Sequence, residues 1–312
     1  MHDRNWAHNA RGDRVSARIH DVRYRPFTGE LRGSTRRSVA SMARWSALRA
    51  LGARRPWTAK VVPVTLALIA LGPAVTVLGV KSLLGGDLVE QLPTDLVPYA
   101  FYYTLIGFAI WAYAAIVIPE TICPDRRSRV LDLYLSTAMS PREYVLGKVL
   151  ASLVPLLAVT TLPLAVLYVG NVFFATDPFG YVGDNLREIP AILAGGLLIA
   201  LVYTLMGLAV ASLTSRRAFA SVGFILLLVI SGLMAGALAE VADLGPNARM
   251  VNLQALPVWL AQIMIGGEQI TGGDGPFVVE NRPDAVPLVV ANAVVCLVCV
   301  GVLWLRYRRR GA

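Results

Sequence analysis

Six long apolar segments alternate with polar segments along this chain of 312 residues. Each is close to the about 20 residues with which a helix crosses a hydrocarbon core of about 30 Å. None of the six contains Asp, Glu, Lys, Arg or His. A helix satisfies its own backbone hydrogen bonds where water is absent, so the pattern predicts an all-α integral membrane protein with six transmembrane helices. The predicted spans are Val61–Val80, Val97–Ile118, Val149–Val172, Pro190–Leu213, Ala218–Ala239 and Val286–Leu305.

The polar segments between the spans differ in charge. Four of them, 1–60, 119–148, 214–217 and 306–312, hold 25 of the 29 lysines and arginines. The other three loops carry 12 of the 20 acidic residues. Lys and Arg are retained on the cytoplasmic side during insertion, which predicts a multi-pass protein of the plasma membrane with both termini in the cytoplasm.

The net charge of +9 and the pI of about 9.8 also suit nucleic-acid binding. The basic residues follow the insertion rule, however, and no zinc-finger or RNA-recognition signature accompanies them. The lipid bilayer is therefore the expected partner of this charge, and no nucleic acid is expected.

The first 60 residues form a basic cytoplasmic segment in this reading. Residues 1–30 are rich in Arg and poor in apolar residues, which is typical of loosely ordered chain. From about 35 to 52, apolar residues recur at helical spacing between arginines, and a basic helix of this kind lies in the headgroup region. Gly52 is a plausible stop for the helix. The alternative is a disordered basic linker. The stripe consists of Val39, Met42, Trp45, Leu48 and Leu51, with Arg37, Arg44 and Arg54 among the polar positions.

This segment lacks a short apolar region followed by a small-residue cleavage site, so a secretory signal peptide is not predicted. The first span is expected to act as an uncleaved signal anchor.

The segment between the second and third spans, 119–148, is the most informative polar segment. Its Ser140-Pro141-Arg142-Glu143 run predicts a capping box, with Ser140 accepting from the N3 amide and Glu143 from the Ser140 amide. A helix is therefore expected to begin at Pro141 and to continue through Gly147 and Lys148 into the third span. Charged helical chain joined directly to two spans is suited to transmitting force from a soluble partner.

The residues from Glu120 to Lys148 resemble the coupling region of ABC-2 type transporter permeases. They read E-x-x-x-x-D-R-R-S-R-V-L-D-L-Y-L-S-T-A-M-S-P-R-E-Y-V-L-G-K, where family members often have E-x-x-x-G-T-L-E-L-L-L-x-T-P-x-S-R-x-E-x-x-L-G-K. The stretch Ile19–Gly33 also resembles the approach to the first span in some bacterial members. This chain differs in having Asp125–Arg129 in place of the commoner Gly-Thr approach, and Met139 where Pro is frequent.

The resemblance implies a permease subunit of an ATP-driven transporter, an exporter in expectation. It implies a homodimer or heterodimer of permeases that docks on separate P-loop ATP-binding subunits, which would bind ATP and Mg²⁺. This chain would then be no enzyme and would need no cofactor of its own. The residues that would carry the coupling contacts are Glu120, Asp125, Arg126, Arg127, Arg129, Asp132, Arg142, Glu143 and Lys148. The ordinary alternatives are that Glu143 only caps a helix and that Lys148 only reaches the interface.

The long outer loop, 240–285, contains an apolar stretch over 251–265 that is too short to cross the membrane. A re-entrant or interfacial helix broken near Pro257 is expected, followed by a flexible Gly-rich loop over Gly266–Pro276. Gly232 and Gly236 form a G-x-x-x-G in the fifth span, which we interpret as internal helix packing.

Other functional classes are weakly supported. All three histidines lie in the N-terminal tail, no H-E-x-x-H or P-loop motif is present, and the cytoplasmic acids are dispersed, so neither a membrane enzyme nor a metal site is predicted. Cys296 and Cys299 are interpreted as packing residues.

An ion-coupled carrier would place ionisable residues inside its bundle. A carrier and a non-catalytic anchor or assembly protein remain the alternatives. Apolar walls would suit lipids, lipid-linked glycans or hydrophobic drugs.

Overall fold

A computed structural model describes most of the chain. The described residues are 35–52, 57–84, 97–128, 130, 140–242, 246–266 and 283–308, and they belong to one compact unit, Ser34–Ala312. The predictions for residues 1–30, for Arg54 and for nearly all of the Gly-rich loop concern residues outside these ranges.

The described residues form α-helices, with one π-helical turn at Ala237–Val241 and one 3-10 helix at Pro246–Val251. Six of the helices are long and apolar enough to cross a membrane, which confirms the predicted six-span, all-helical fold. We number the α-helices in chain order as α1 Thr35–Ala50, α2 Thr58–Leu84, α3 Tyr99–Arg127, α4 Pro141–Phe174, α5 Pro178–Asp184, α6 Glu188–Leu213, α7 Arg217–Gly236, α8 Leu256–Gly266 and α9 Ala285–Arg308.

Helix α6 lies at the centre of the bundle and contacts α3, α4, α7, α8 and α9. Its glycines allow this close approach. A Cβ atom built on Gly207 would lie 2.7 Å from Ile118 Cδ1 of α3, and one built on Gly196 would collide with Thr161 of α4. By contrast, α2, α7 and α9 keep most of their apolar surface exposed, as expected for helices that face lipid or another subunit.

Helix α1 packs on the bundle along one face. Met42, Ser46 and Ala50 are buried against α4 and α3, whereas Trp45 remains 49% exposed. The predicted helix is present, and the face that it buries against the bundle follows i, i+4, i+8 spacing. A tight approach at Gly147 fixes this contact, since a Cβ there would lie 3.1 Å from Met42 Cγ. The helix ends at Ala50, and Gly52 follows it with a φ of 73°, the left-handed conformation that glycine adopts readily. That the i, i+3 stripe lies in the headgroup region stays a prediction.

The apolar outer segment forms α8, which packs between α3, α6 and α9. Its helix begins next to Pro257 and is not broken there, because proline is well tolerated in the first turn. Gln262 Nε2 donates to Thr104 Oγ1 at 2.8 Å, and Asn292 Nδ2 donates to the Leu256 carbonyl at 3.1 Å. These bonds attach the short helix to two spans.

One prediction needs correction at the end of the bundle where α2 ends, and one helix there was not predicted. Lys81, assigned to a loop, lies inside the longer α2, is 4% exposed and donates to Asn171 Oδ1 at 2.8 Å. Asn171 in turn donates to the Tyr99 hydroxyl at 2.7 Å, so the lysine joins a polar network linking α2, α3 and α4. The short helix α5 was not predicted; its Asp177 side chain caps it by accepting from Phe179 N.

The G-x-x-x-G of α7 does not form the internal contact that we predicted. A Cβ on Gly236 would meet nothing within 4 Å, and one on Gly232 would only touch Asn252 at 3.7 Å. The sequence signal was weak, because small residues occur throughout this glycine-rich chain.

Candidate coupling site

Five helix ends and α1 come together at one end of the bundle, which we call the basic end. It comprises the last turns of α3, α6 and α9 and the first turns of α4 and α7. Ion pairs and hydrogen bonds link α3 to α1, α4, α6 and α7. Helix α9 contacts α4 through the rings of Tyr307 and Tyr144, whose centroids lie 5.5 Å apart.

Asp125 is the centre of the buried charge at this end. It is 1% exposed, and Lys148 Nζ lies 2.6 Å from its Oδ2 while Arg49 Nη2 lies 2.7 Å from its Oδ1. The Tyr144 hydroxyl donates to Oδ2 at 3.2 Å. Lys148 also donates to Ser46 Oγ at 2.8 Å. One carboxylate therefore joins α1, α3 and α4. We call Arg49, Asp125, Tyr144 and Lys148 the charge cluster.

The charge cluster holds its members in place mainly through the penalty for separating them. Lys148 is 1% exposed, and charges removed from water in this way are stable only with a close partner and further hydrogen bonds. Removing one partner of a buried pair typically costs about 3–5 kcal/mol, because the other charge stays buried. The three helices are thus expected to move together at this point.

Arg126, the next residue along α3, binds the end of α6. Its Nη1 donates to the Ser212 carbonyl and, at 2.8 Å, to the Thr214 carbonyl. The last carbonyls of a helix have no partner within the helix, and a cation there also interacts favourably with the helix dipole. Cys123, one turn earlier, packs with Ala211 and Ala220, which places a small buried side chain at the junction of α3, α6 and α7.

Glu120 connects α3 to α7 through an ion pair with Arg217. The Glu120 side chain is 12% exposed and that of Arg217 is 67% exposed, so water screens this pair more than the charge cluster. The last two turns of α3 thus contact α1, α4, α6 and α7 through the side chains of Glu120, Asp125 and Arg126.

The start of α4 forms the exposed part of the basic end. Both reciprocal hydrogen bonds of the capping box are present, with Ser140 N donating to Glu143 Oε2 at 2.7 Å and Glu143 N donating to Ser140 Oγ at 3.3 Å. Arg142 and, across the connection, Arg127 are exposed. These side chains are accessible to a soluble partner.

The described candidate residues identified from sequence therefore fall into three groups. Arg127, Arg142 and Glu143 lie at the surface or at its edge, whereas Asp125 and Lys148 lie inside the protein, where they can position helices but cannot touch a docking partner. Glu120 and Arg126 bind neighbouring helices. The remaining two candidates, Arg129 and Asp132, fall outside the described residues.

Sequence reasoning missed Arg49, Ser46 and Tyr144. A signal was available for the first two, since Met42, Ser46 and Arg49 share one face of α1 at i, i+4, i+7 spacing. No group of three or more His, Cys, Asp or Glu residues suited to a metal ion occurs in the described ranges.

Family membership follows from the comparison of the sequence with known families. Residues 63–305 match the family described as ABC-2 family transporter protein. The chain belongs to this family. A search of curated proteins found no match.

As an ABC-2 protein, the chain is a membrane subunit of the ABC transporter class, and such subunits associate with a separate ATP-binding subunit. The match includes all six spans and the described ends of α3 and α4, but it begins after α1. Arg49 therefore completes the charge cluster from outside the matched region.

Proposed function

We propose that the chain is the permease subunit of an ATP-driven exporter, working as a dimer above two separate ATP-binding subunits that hold ATP and Mg²⁺. In this proposal the basic end faces the cytoplasm, as its concentration of Arg and Lys favours. The observation that carries the coupling role is the charge cluster. It joins α1 to α3 and α4, the two helices on either side of the 128–140 connection.

The proposed coupling works in two steps. A partner that contacts the surface around Arg127 and Arg142 pushes on the end of α3 and the start of α4. The buried Asp125–Lys148 pair makes these ends move as one body, and Arg126 and Glu120 pass the displacement to α6 and α7. The central α6 contacts most other helices, so its movement can change access across the bundle.

The alternative to an ATP-driven exporter is an ion-coupled carrier. Ion-coupled carriers hold ionisable residues inside the bundle, and Lys81, Asp125 and Lys148 all lie inside the long helices of this protein. Asp125 and Lys148 are bound to each other, as in an ion pair that stabilises the structure. Membership of the ABC-2 family favours an external energy source.

Affinity purification tests the proposal. The tagged full-length protein is purified in mild detergent from its own host, and co-purifying proteins are identified by mass spectrometry. We expect a P-loop ATPase in stoichiometric amount. Arg127→Glu combined with Arg142→Glu should remove it by reversing the charge of the docking surface.

The matched control is Arg44→Glu with Arg306→Glu, which reverses two exposed arginines elsewhere on α1 and α9 and should retain the ATPase. Absence of any ATPase from the wild-type sample in several detergents would contradict the proposal. If both double variants lose the ATPase equally, the docking surface at Arg127 and Arg142 is contradicted, but the permease function is not.

A further inference from the structure

An apolar groove opens beside the basic end, between α4, α6 and α9. Its volume is about 1120 Å³. Leu205 and Leu303 form its floor and are buried, whereas Leu146, Val300 and Trp304 on its walls are 55%, 48% and 44% exposed. Exposed apolar walls around a concave surface are typical of a binding groove.

Among the described residues that line this groove, the cationic ones stand at its mouth. Arg142 stands at the start of α4 and Arg308 at the end of α9, and both are exposed and line the groove. Within the described part of the chain, neither forms an ion pair with a carboxylate, and no acidic residue lines the groove. The Arg308 guanidinium lies 4.7 Å from the centre of the Trp304 ring, which positions it at the mouth.

The length of the groove matches one leaflet of a bilayer. Its wall on α9 runs from Val300, inside the sixth span, to Arg308 at the end of the helix, which is about 12 Å at 1.5 Å per residue. Half of a hydrocarbon core is about 15 Å. A molecule with its charged group at Arg142 and Arg308 would therefore extend its apolar part along the groove in the direction of an acyl chain.

We propose that this groove binds one acidic phospholipid, with the phosphate between Arg142 and Arg308 and an acyl chain against Leu205 and Leu303. A second copy of the chain is a poorer occupant. In a two-fold contact through this face the same arginines would meet, and like charges would oppose association. The inference requires that the helices span a membrane. It shares Arg142 with the proposed docking surface but does not require ATP-driven transport.

Photocrosslinking tests the site directly. The purified full-length protein is placed in phosphatidylcholine nanodiscs that contain a small fraction of phosphatidylglycerol carrying a diazirine in one acyl chain. Labelled peptides are then quantified by mass spectrometry. We expect labelling within 145–149, 201–205 and 300–304. With a phosphatidylcholine probe we expect at least about tenfold less, because its quaternary ammonium cancels the net negative charge of the lipid and places a like charge beside the two arginines.

Three variants separate recognition from general lipid contact. Arg142→Gln with Arg308→Gln should lower groove labelling about tenfold, whereas Arg216→Gln with Arg306→Gln, an equal loss of charge on other exposed arginines of this end, should leave it unchanged. Val300→Trp fills the groove while both arginines remain and should also abolish labelling. Size-exclusion profiles identical to wild type show that the variants are folded.

Three results would overturn the site. The two probes could label the groove equally, which is ordinary contact with surrounding lipid. The two double variants could reduce labelling of the groove equally, which would show a general effect of charge at this end of the protein. Absence of groove labelling in the wild-type protein would mean that another occupant, such as a protein segment or a second copy, covers the groove.

Discussion

At the residue scale, Asp125 decides how the basic end is held together. Its two carboxylate oxygens each bind a cation from a different helix, Arg49 of α1 and Lys148 of α4. The sequence identified Asp125 and Lys148 as functional candidates, because Asp125 lies in the segment that resembles the coupling region and Lys148 matches a charged position of its motif. It could not show that they are bonded to each other, since that depends on how α3 and α4 approach over a sequence distance of more than twenty residues.

Replacing Asp125 with Asn should destabilise the protein strongly. Lys148 and Arg49 would keep their charges beside a neutral amide, and the expected loss is about 3–5 kcal/mol. The thermal unfolding midpoint in detergent measures it. Asp177→Asn is the matched control, because Asp177 is an exposed helix cap and Asn caps equally well. Equal midpoints for the two variants would contradict a structural role for the buried pair.

At the element scale, apolar length predicted all six spans and the short outer helix. Charge patterning was less informative about helix ends. The basic end of α3 and the opposite end of α2 extend beyond the apolar cores and bring Asp125 and Lys81 into helices. Such charges are stable there only because partners from other helices meet them, and no local pattern reveals those partners. The capping box at Ser140 was readable because all its members lie within four residues.

Removing the capping box should loosen only the start of α4. Ser140→Ala loses the bond to Glu143 N and is expected to cost about 1 kcal/mol. The same loss should appear with Glu143→Ala, and the double variant should cost less than the sum of the two single variants, because the two bonds support one turn. Unfolding midpoints of the three variants check this. Fully additive losses would contradict a cooperative cap.

Close packing around α6 gives a second prediction at this scale. Gly196→Ala places a methyl group against Thr161 and within 3.2 Å of the Tyr103 hydroxyl, so overpacking of about 1–3 kcal/mol is expected. Gly107→Ala is the control, since a Cβ there meets nothing within 4 Å. The control should be neutral or slightly stabilising, because Ala favours helices. A neutral Gly196→Ala would mean that α4 and α6 are less tightly packed than described.

At the scale of the whole molecule, the six spans alternate in direction and place the basic end on one side of the membrane. If both termini are cytoplasmic, a fluorescent protein fused after Ala312 should fold and fluoresce, whereas alkaline phosphatase fused there should be inactive. The same two reporters inserted in the outer loop near 270 should give the opposite pattern. Active alkaline phosphatase at the C-terminus would contradict the orientation on which the coupling proposal depends.

The central claim is that the basic end docks a separate ATPase, and photocrosslinking in intact cells tests it most directly. A photoreactive amino acid is introduced at Arg142 on the exposed start of α4 or, as a control at the opposite end, at Phe179, which is 90% exposed on α5. We predict that position 142 crosslinks to a P-loop ATPase and that position 179 does not. Crosslinking of an ATPase only from position 179, or from neither position, would contradict the claim.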